Sequence, residues 1–339
     1  MILRTETVEQ TIDGGKRATF VKDVVMTRGQ HPLGMVRKRL AGSEPTRGAV
    51  LLIHGFGQNR YAWHTSVRSF SCYLAAEGWD VFNVDLRGHG RSAMFADGRS
   101  RVLHEYVHED VPSLAEEAMR LSGQRKLFLV GHSMGGLIAY SVGASRLRNH
   151  VRGVVSIGSP YRFGLGSRTL AAVSELLTAV RYTGIFDANP LLPLGFIGTH
   201  LRRRRGLWDS RAVPLPVRVW APGSMEVDVL DEYLRRAFDV TSLQVAFDII
   251  RFGQKAVLGG EEGRLDYKTA FEWLDRPLLV VAGTHDTLAP PASVKPAFDA
   301  SRSSDKAYRE FPLGHIDMLV GRGAPCTVWP LVGDWLARR

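Results

Sequence analysis

The sequence predicts an α/β fold, a mostly parallel sheet with helices on both faces, on three observations. Short apolar runs of strand length recur between residues 49 and 157. A stretch with helical spacing separates each from the next, and the same rhythm returns from residue 278 to the end. Strands buried on both faces read as continuous apolar runs, and helical crossovers between them join parallel neighbours.

The first forty residues lack this rhythm; Thr19 to Thr27 and Met35 to Leu40 suggest an antiparallel ribbon at the sheet edge. Ala49 to Ile53 is a buried strand closed by His54-Gly55. Arg60 to Glu77 carries apolar residues near helical spacing, with Gly78 as the stop. Val81 to Val84 is the next strand, ended by the turn Arg87-Gly88-His89-Gly90. Glu105 to Ser122 reads as a helix broken at Gly123, Leu127 to Val130 as a third buried strand, Gly135 to Arg146 as a helix and Val151 to Ile157 as a strand. After Ser159-Pro160 the rhythm stops. To about Asp275 the chain reads as helical and proline-broken, with helices over Ser167 to Arg181 and Asp228 to Phe238 and turns at Pro190, Pro193, Pro214, Pro216 and Pro222. A strand at Leu278 to Ala282, a helix from Ala292, a strand at Ala307 to Phe311 and a helix over Thr327 to Ala337 complete the chain. An insertion between two sheet strands, without sheet rhythm of its own, reads as a cap. The expected organisation is a core of residues 1–160 and 276–339 with a cap over 161–275.

Composition excludes several classes. Hydrophobic residues at 45% and charged residues at 23% match an ordinary soluble globular protein and argue against disorder or a fibre. The N-terminus has charges from its fourth residue and no apolar core of a signal peptide, and the apolar runs are too short to cross a bilayer. A cytoplasmic location is therefore expected. Cys72 and Cys326 sit in unrelated contexts, so neither a metal nor a redox role is expected. The net charge of +10 is densest at Arg202, Arg203, Arg204 and Arg205, beside Leu207 and Trp208. This run reads as a solvated face, or as a weak attraction to an anionic lipid surface or acidic substrate. No zinc-finger spacing, aromatic RNA-binding motif or basic heptad helix accompanies it, so no nucleic-acid partner is expected.

The most informative segment is Leu127-Phe128-Leu129-Val130-Gly131-His132-Ser133-Met134-Gly135-Gly136. It has the form strand, then G-x-S-x-G, then helix. A side chain at the apex of a sharp strand-to-helix turn forces neighbouring backbones together, and glycines at 131 and 135 remove the Cβ atoms that would clash. The Ser133 hydroxyl is left exposed at the carboxyl edge of the sheet, and the N–H of Met134 can face a developing oxyanion. The loop His54-Gly55-Phe56-Gly57 supplies a second donor, the N–H of Phe56, with His54 as a structural histidine that holds the loop. A serine hydroxyl needs a base, and the base an orienting acid. Asp286 follows the strand at 278–282 and His315 the strand at 307–311, both at carboxyl strand ends where open α/β sheets place their sites. His285 reads as a turn residue. Asp317 is a weaker alternative acid, two residues from His315 on one loop. Asp85 is expected to hold the Arg87–Arg91 turn.

On these residues the chain resembles the α/β-hydrolase superfamily over nearly its whole length. Its N-terminal half is most similar to the monoglyceride lipase and lysophospholipase group, through His54-Gly55-Phe56-Gly57, Asp85-Leu86-Arg87-Gly88-His89-Gly90-Arg91-Ser92 and Gly131-His132-Ser133-Met134-Gly135-Gly136. The resemblance implies a mostly parallel eight-stranded sheet with a helical cap after strand 6. It implies Ser133 as nucleophile, Asp286 and His315 as its partners, Phe56 and Met134 as oxyanion donors, and ester hydrolysis without a cofactor; the abundant Leu, Phe and Val of the cap, with Trp208 and Trp220, suit an apolar acyl substrate. The stretch from Gly314-His315-Ile316-Asp317 to Val328-Trp329-Pro330 is similar to the tail of polyhydroxyalkanoate synthases, which transfer acyl groups from a cysteine; serine at 133 counts against that activity. An acyltransferase, thioesterase, amidase or C–C hydrolase on the same triad, and a non-catalytic binding protein on this scaffold, stay open as alternatives. Epoxide hydrolases carry an aspartate where this chain has Ser133.

Overall fold

The computed structural model describes residues 1–95, 98–100, 102–145, 147–181, 188–252 and 273–339. Its main sheet is built from β1 (Ile2–Asp13), β2 (Lys16–Met26), β3 (Gly34–Leu40), β4 (Ala49–Ile53), β5 (Asp80–Val84), β6 (Leu127–His132), β7 (Val151–Ile157), β10 (Leu278–Gly283) and β11 (Lys306–Phe311). The strand order is β1-β2-β3-β5-β4-β6-β7-β10-β11. The first three strands and the β3–β5 pair are antiparallel, and the rest run parallel.

Alternation along the central strands explains why helices cover both faces. Leu51 and Ile53 of β4, Leu129 of β6 and Val280 of β10 enter one apolar layer, beneath helices α2 (Val111–Ser122), α3 (Met134–Ala144) and α9 (Pro291–Ala300). Val50, Leu52, Val130 and Val281 enter the other, beneath α1 (Phe70–Ala76) and α10 (Val328–Ala337). Successive side chains of a strand point to opposite faces, so fully apolar strands require a core on each side.

Between β7 and β10 the described residues are mainly helical: α4 (Arg168–Arg181), α5 (Leu194–Arg203), α6 (Arg205–Trp208), α7 (Val227–Arg236) and α8 (Leu243–Arg251). A two-stranded antiparallel ribbon, β8 (Leu191–Pro193) with β9 (Val240–Ser242), joins them. Residues 182–187 and 253–272 of the expected cap lie outside the described residues.

Several expectations need correction. Among the described residues the sheet has nine strands rather than eight, because the first residues form a long hairpin, β1–β2, turned at Asp13-Gly14-Gly15-Lys16. Its signals were β-branched residues on both sides of an Asp-Gly-Gly turn. The helical insertion therefore follows the seventh strand of the chain, not the sixth. The helix expected over Arg60 to Glu77 is broken: a short 3-10 turn at Arg60–Trp63 and α1 flank an extended stretch. There Ser69 N–H donates to Ile12 O (2.8 Å) and the Arg68 guanidinium reaches Asp13, Glu226 and Val320 O, contacts that outweigh local helical spacing. The helix expected from Glu105 opens with a wide five-residue turn at Tyr106–Asp110, just before Pro112. The helix expected to reach Arg146 ends at Ala144, and position 146 lies outside the described residues. Gly78 and Gly123 stop their helices at positive φ, as expected.

Candidate active site

The sheet reverses its direction of growth between β4 and β6, and at such a point the loops leaving the two strands part and open a crevice at their carboxyl ends. The turn carrying Phe56 leaves β4, and Ser133 leaves β6. Asp286 and His315 follow β10 and β11 at the same edge.

Ser133 is one of two non-glycine described residues at positive φ (φ 54°, ψ −122°). Such a conformation costs a β-substituted residue on the order of 1–3 kcal/mol and persists only where the surroundings dictate it. They do so here. Ser133 N–H donates to Ile157 O (2.9 Å) and Gly136 N–H to Ser133 O (3.0 Å). A Cβ on Gly131 would run into Gly135 O, one on Gly135 into Ile53 O, and one on Gly136 into Ser159 Oγ, all far inside van der Waals contact. Among the described residues the N–H groups of Met134 and Phe56 have no hydrogen-bond acceptor. The first belongs to the first turn of α3, where the helix itself supplies none.

His315 is buried, and its Nδ1 lies 2.7 Å from Asp286 Oδ2. The carboxylate is fixed in turn, since its Oδ1 accepts from Leu288 N–H (2.9 Å) and Ala289 N–H (2.8 Å). With Nδ1–H donated to Asp286, the lone pair of His315 resides on Nε2. His315 and Ser133 line one apolar cavity of about 320 Å³. A direct hydrogen bond between them is not among those formed by the described residues; such contacts often tighten only in the complex with substrate. Gly158 (φ +57°) packs beneath the pair: a Cβ there would run into Met318 Cε at 2.7 Å and would only touch Asp286 Oδ2 and His315 Nδ1, both at 3.4 Å.

The other polar residues divide as their contacts dictate. Asp317 does not reach the imidazole; its Oδ2 accepts from Gly314 N–H and Ala221 N–H, both at 2.8 Å, which ties the histidine loop to the insertion. Burial pushes its pKa up to about 6. His285 is exposed. Asp85 accepts from Arg91 N–H (2.8 Å) and from Arg60 N–H and guanidinium, holding the turn expected of it. His54 accepts from Leu86 N–H (3.1 Å) and lies against Gly55 O, and burial lowers its pKa to about 3, so it is a neutral structural bridge. His132 is buried and held neutral by burial and by neighbouring His315; its Nε2–H donates to His315 O (3.1 Å). Sequence reasoning missed His132, whose only signal was its place inside the serine motif. It also missed Gln58, one of the cavity's few polar lining groups.

The arrangement can bind an acyl group in an apolar cavity beside a hydroxyl, an oriented imidazole and two unpaired N–H donors. The comparisons agree with such a scaffold. Poly(3-hydroxyalkanoate) polymerase subunit PhaC of Haloarcula marismortui is 36% identical over 277 residues, 80% of this chain and 57% of that protein. Epoxide hydrolase 3 of Xenopus tropicalis is 30% identical over 173 residues, 49% of this chain and 43% of that one. Monoglyceride lipase of Saccharomyces cerevisiae is 32% identical over 123 residues, 34% of this chain and 37% of its own. The solved structure of a soluble variant of that lipase, in complex with a substrate analog, matches with a TM-score of 0.57 at 18% identity, covering 100% of this chain and 97% of that one. The chain thus spans about half the length of the curated relatives it matches. The family model of the alpha/beta hydrolase fold matches residues 48–322, and the chain belongs to that family.

Proposed function

We propose that this protein is a serine esterase that cleaves a carboxylic ester with an apolar acyl chain through an acyl-enzyme on Ser133. The observation that supports the reading is that Ser133 and the Asp286-oriented His315 line one apolar cavity. His315 Nε2 takes the hydroxyl proton as Ser133 Oγ attacks the carbonyl. The N–H groups of Phe56 and Met134 receive the charge that develops on the carbonyl oxygen, and His315 then gives its proton to the departing alcohol. Water, activated by the same imidazole, releases the acid. Serine at 133 supports ester cleavage over epoxide opening, for which an aspartate would be expected there.

Residues 161–275 serve in this reading as a cap: Val173, Leu177, Leu194, Phe238 and Ile250 from it line the cavity. Burying a methylene contributes about 0.8 kcal/mol, or about fourfold in kcat/KM where the transition state retains the contact. For p-nitrophenyl esters kcat/KM is expected to climb from acetyl to medium acyl lengths and to level once the cavity is full. A flat or falling series would remove the acyl-chain assignment.

A lipid-like substrate also fits the outer face of the cap. Arg203 and Arg204 are exposed, Arg205 pairs with Asp231 (2.6 Å), and Phe196, Ile197 and Leu207 are exposed on the same helices. Each arginine near an anionic surface contributes about 1 kcal/mol. Co-sedimentation with phosphatidylserine vesicles is therefore expected to weaken more than about tenfold in Arg203→Glu/Arg204→Glu, and to fall with salt. No helix of the described residues is long and apolar enough to cross a membrane, and a cytoplasmic location remains part of this reading.

A further inference from the structure

We propose that Gln58 is a positioning residue, which holds the Phe56 N–H in place for an oxyanion by clamping the turn after β4 to Tyr233 of α7. The inference rests on the catalytic reading of Ser133.

The turn is closed on itself by one residue, through its side chain and its backbone. Gln58 Oε1 accepts from Gly55 N–H (3.1 Å) while Gln58 N–H donates to Gly55 O (3.2 Å), so Phe56 is carried on a ring that Gln58 completes. The turn touches the nucleophile, since a Cβ on Gly55 would lie 2.7 Å from Gln58 Oε1 and 3.2 Å from Ser133 Cβ. The remaining arm of the amide, Nε2, donates to the Tyr233 hydroxyl (2.8 Å), which is fully buried.

The backbone continues the same attachment. Asp239 N–H donates to Gly57 O (2.8 Å) and Asn59 N–H to Ala237 O (3.0 Å). Asn59 Nδ2 reaches Arg236 O and Asp239 Oδ2, both at 2.8 Å, and the same Asp239 oxygen accepts from Gly90 N–H (2.8 Å). Residues 55–59 are thus laced to 233–239, with Phe56 N–H left free to donate. Donors of this kind work because they are aligned before charge develops and need no reorganisation at that moment. A clamp on the neighbours of a donor therefore acts on the transition state and hardly on the ground state. That distinguishes it from a side chain that only packs the cavity wall.

Gln58→Met keeps the volume and removes both hydrogen bonds; Tyr233→Phe removes only the acceptor. Loss of a whole oxyanion donor costs about 10²–10³ in kcat, so Gln58→Met is expected to lower kcat about tenfold to a hundredfold with KM within about twofold. Affinity for an alkyl boronic acid, which mimics the tetrahedral oxyanion, should fall by the same factor as kcat. Tyr233→Phe should show a smaller loss of the same kind, and the double variant should lose no more than Gln58→Met, because the two groups share one contact. Unchanged kcat in both single variants, additive losses in the double, or a change in KM alone would overturn the clamp. Ester hydrolysis that persists in Ser133→Ala would instead overturn the catalytic reading of Ser133, whatever Gln58→Met shows.

Discussion

Replacing Ser133 by alanine is expected to lower kcat for p-nitrophenyl esters by roughly 10⁴- to 10⁶-fold while leaving the fold intact. The expectation follows from the division of labour at the rim of the sheet. Without the hydroxyl, no covalent route is open to the bound acyl group, and only the oxyanion donors and the cavity still favour attack by water. Covalent labelling by a fluorophosphonate should be lost together with turnover. His315→Ala should fall as far, because a hydroxyl without its base stays protonated at neutral pH. Alanine is also easier to place than serine by size alone but keeps the positive φ of the turn, so little change in melting temperature is expected. Turnover that survives the loss of the hydroxyl would sink the proposed function.

The second large effect separates two carboxylates that stand close to one imidazole. Asp286→Asn should reduce kcat by about 10⁴, since the amide can present its NH₂ to Nδ1 and favour the wrong tautomer. Asp317→Asn should keep kcat within about tenfold, because Asp317 accepts from Gly314 and Ala221 backbone N–H groups and does not touch the ring. The stability of this variant should also depend on pH in a defined sense. Burial raises the folded pKa of Asp317 to about 6, above about 3.9 for an unfolded aspartate. The folded state thus holds the proton more tightly, and stability falls as pH rises from the unfolded value to the folded one. Above pH 6 the native protein carries the full cost of a buried charge, which asparagine does not. The variant should melt at least as high as wild type at pH 8, and its advantage should shrink towards pH 5. Inactivation of Asp317→Asn as severe as that of Asp286→Asn would reassign the acid.

What could be read from the residues, and what could not, follows one physical line. The parallel core was legible because strands buried on both faces leave unbroken apolar runs, as in Leu51-Leu52-Ile53. The sharp turn at Ser133 was legible because steric demand forces glycine at fixed positions around it. Long-range pairing was not legible. Nothing near Arg68 in the sequence says that it will reach Asp13, Glu226 and Val320 O and break a helix on the way. Gln58 and Tyr233 likewise meet across 175 positions of chain. The ribbon expected over Thr19 to Thr27 and Met35 to Leu40 is the β2–β3 pair; only β1 was missed, for a different reason. β1 is rich in Thr, Glu and Gln, and its alternation is weak beside the apolar strands that follow.

The lacing between residues 55–59 and 233–239 also bears on how such an enzyme can be re-engineered. A chimera that grafts a foreign lid between β7 and β10 would discard α7 and Asp239, and with them the contacts that hold the turn carrying Phe56. Transplants should therefore retain residues 226–239 from this chain, or import the donor's own loop after β4 along with its lid.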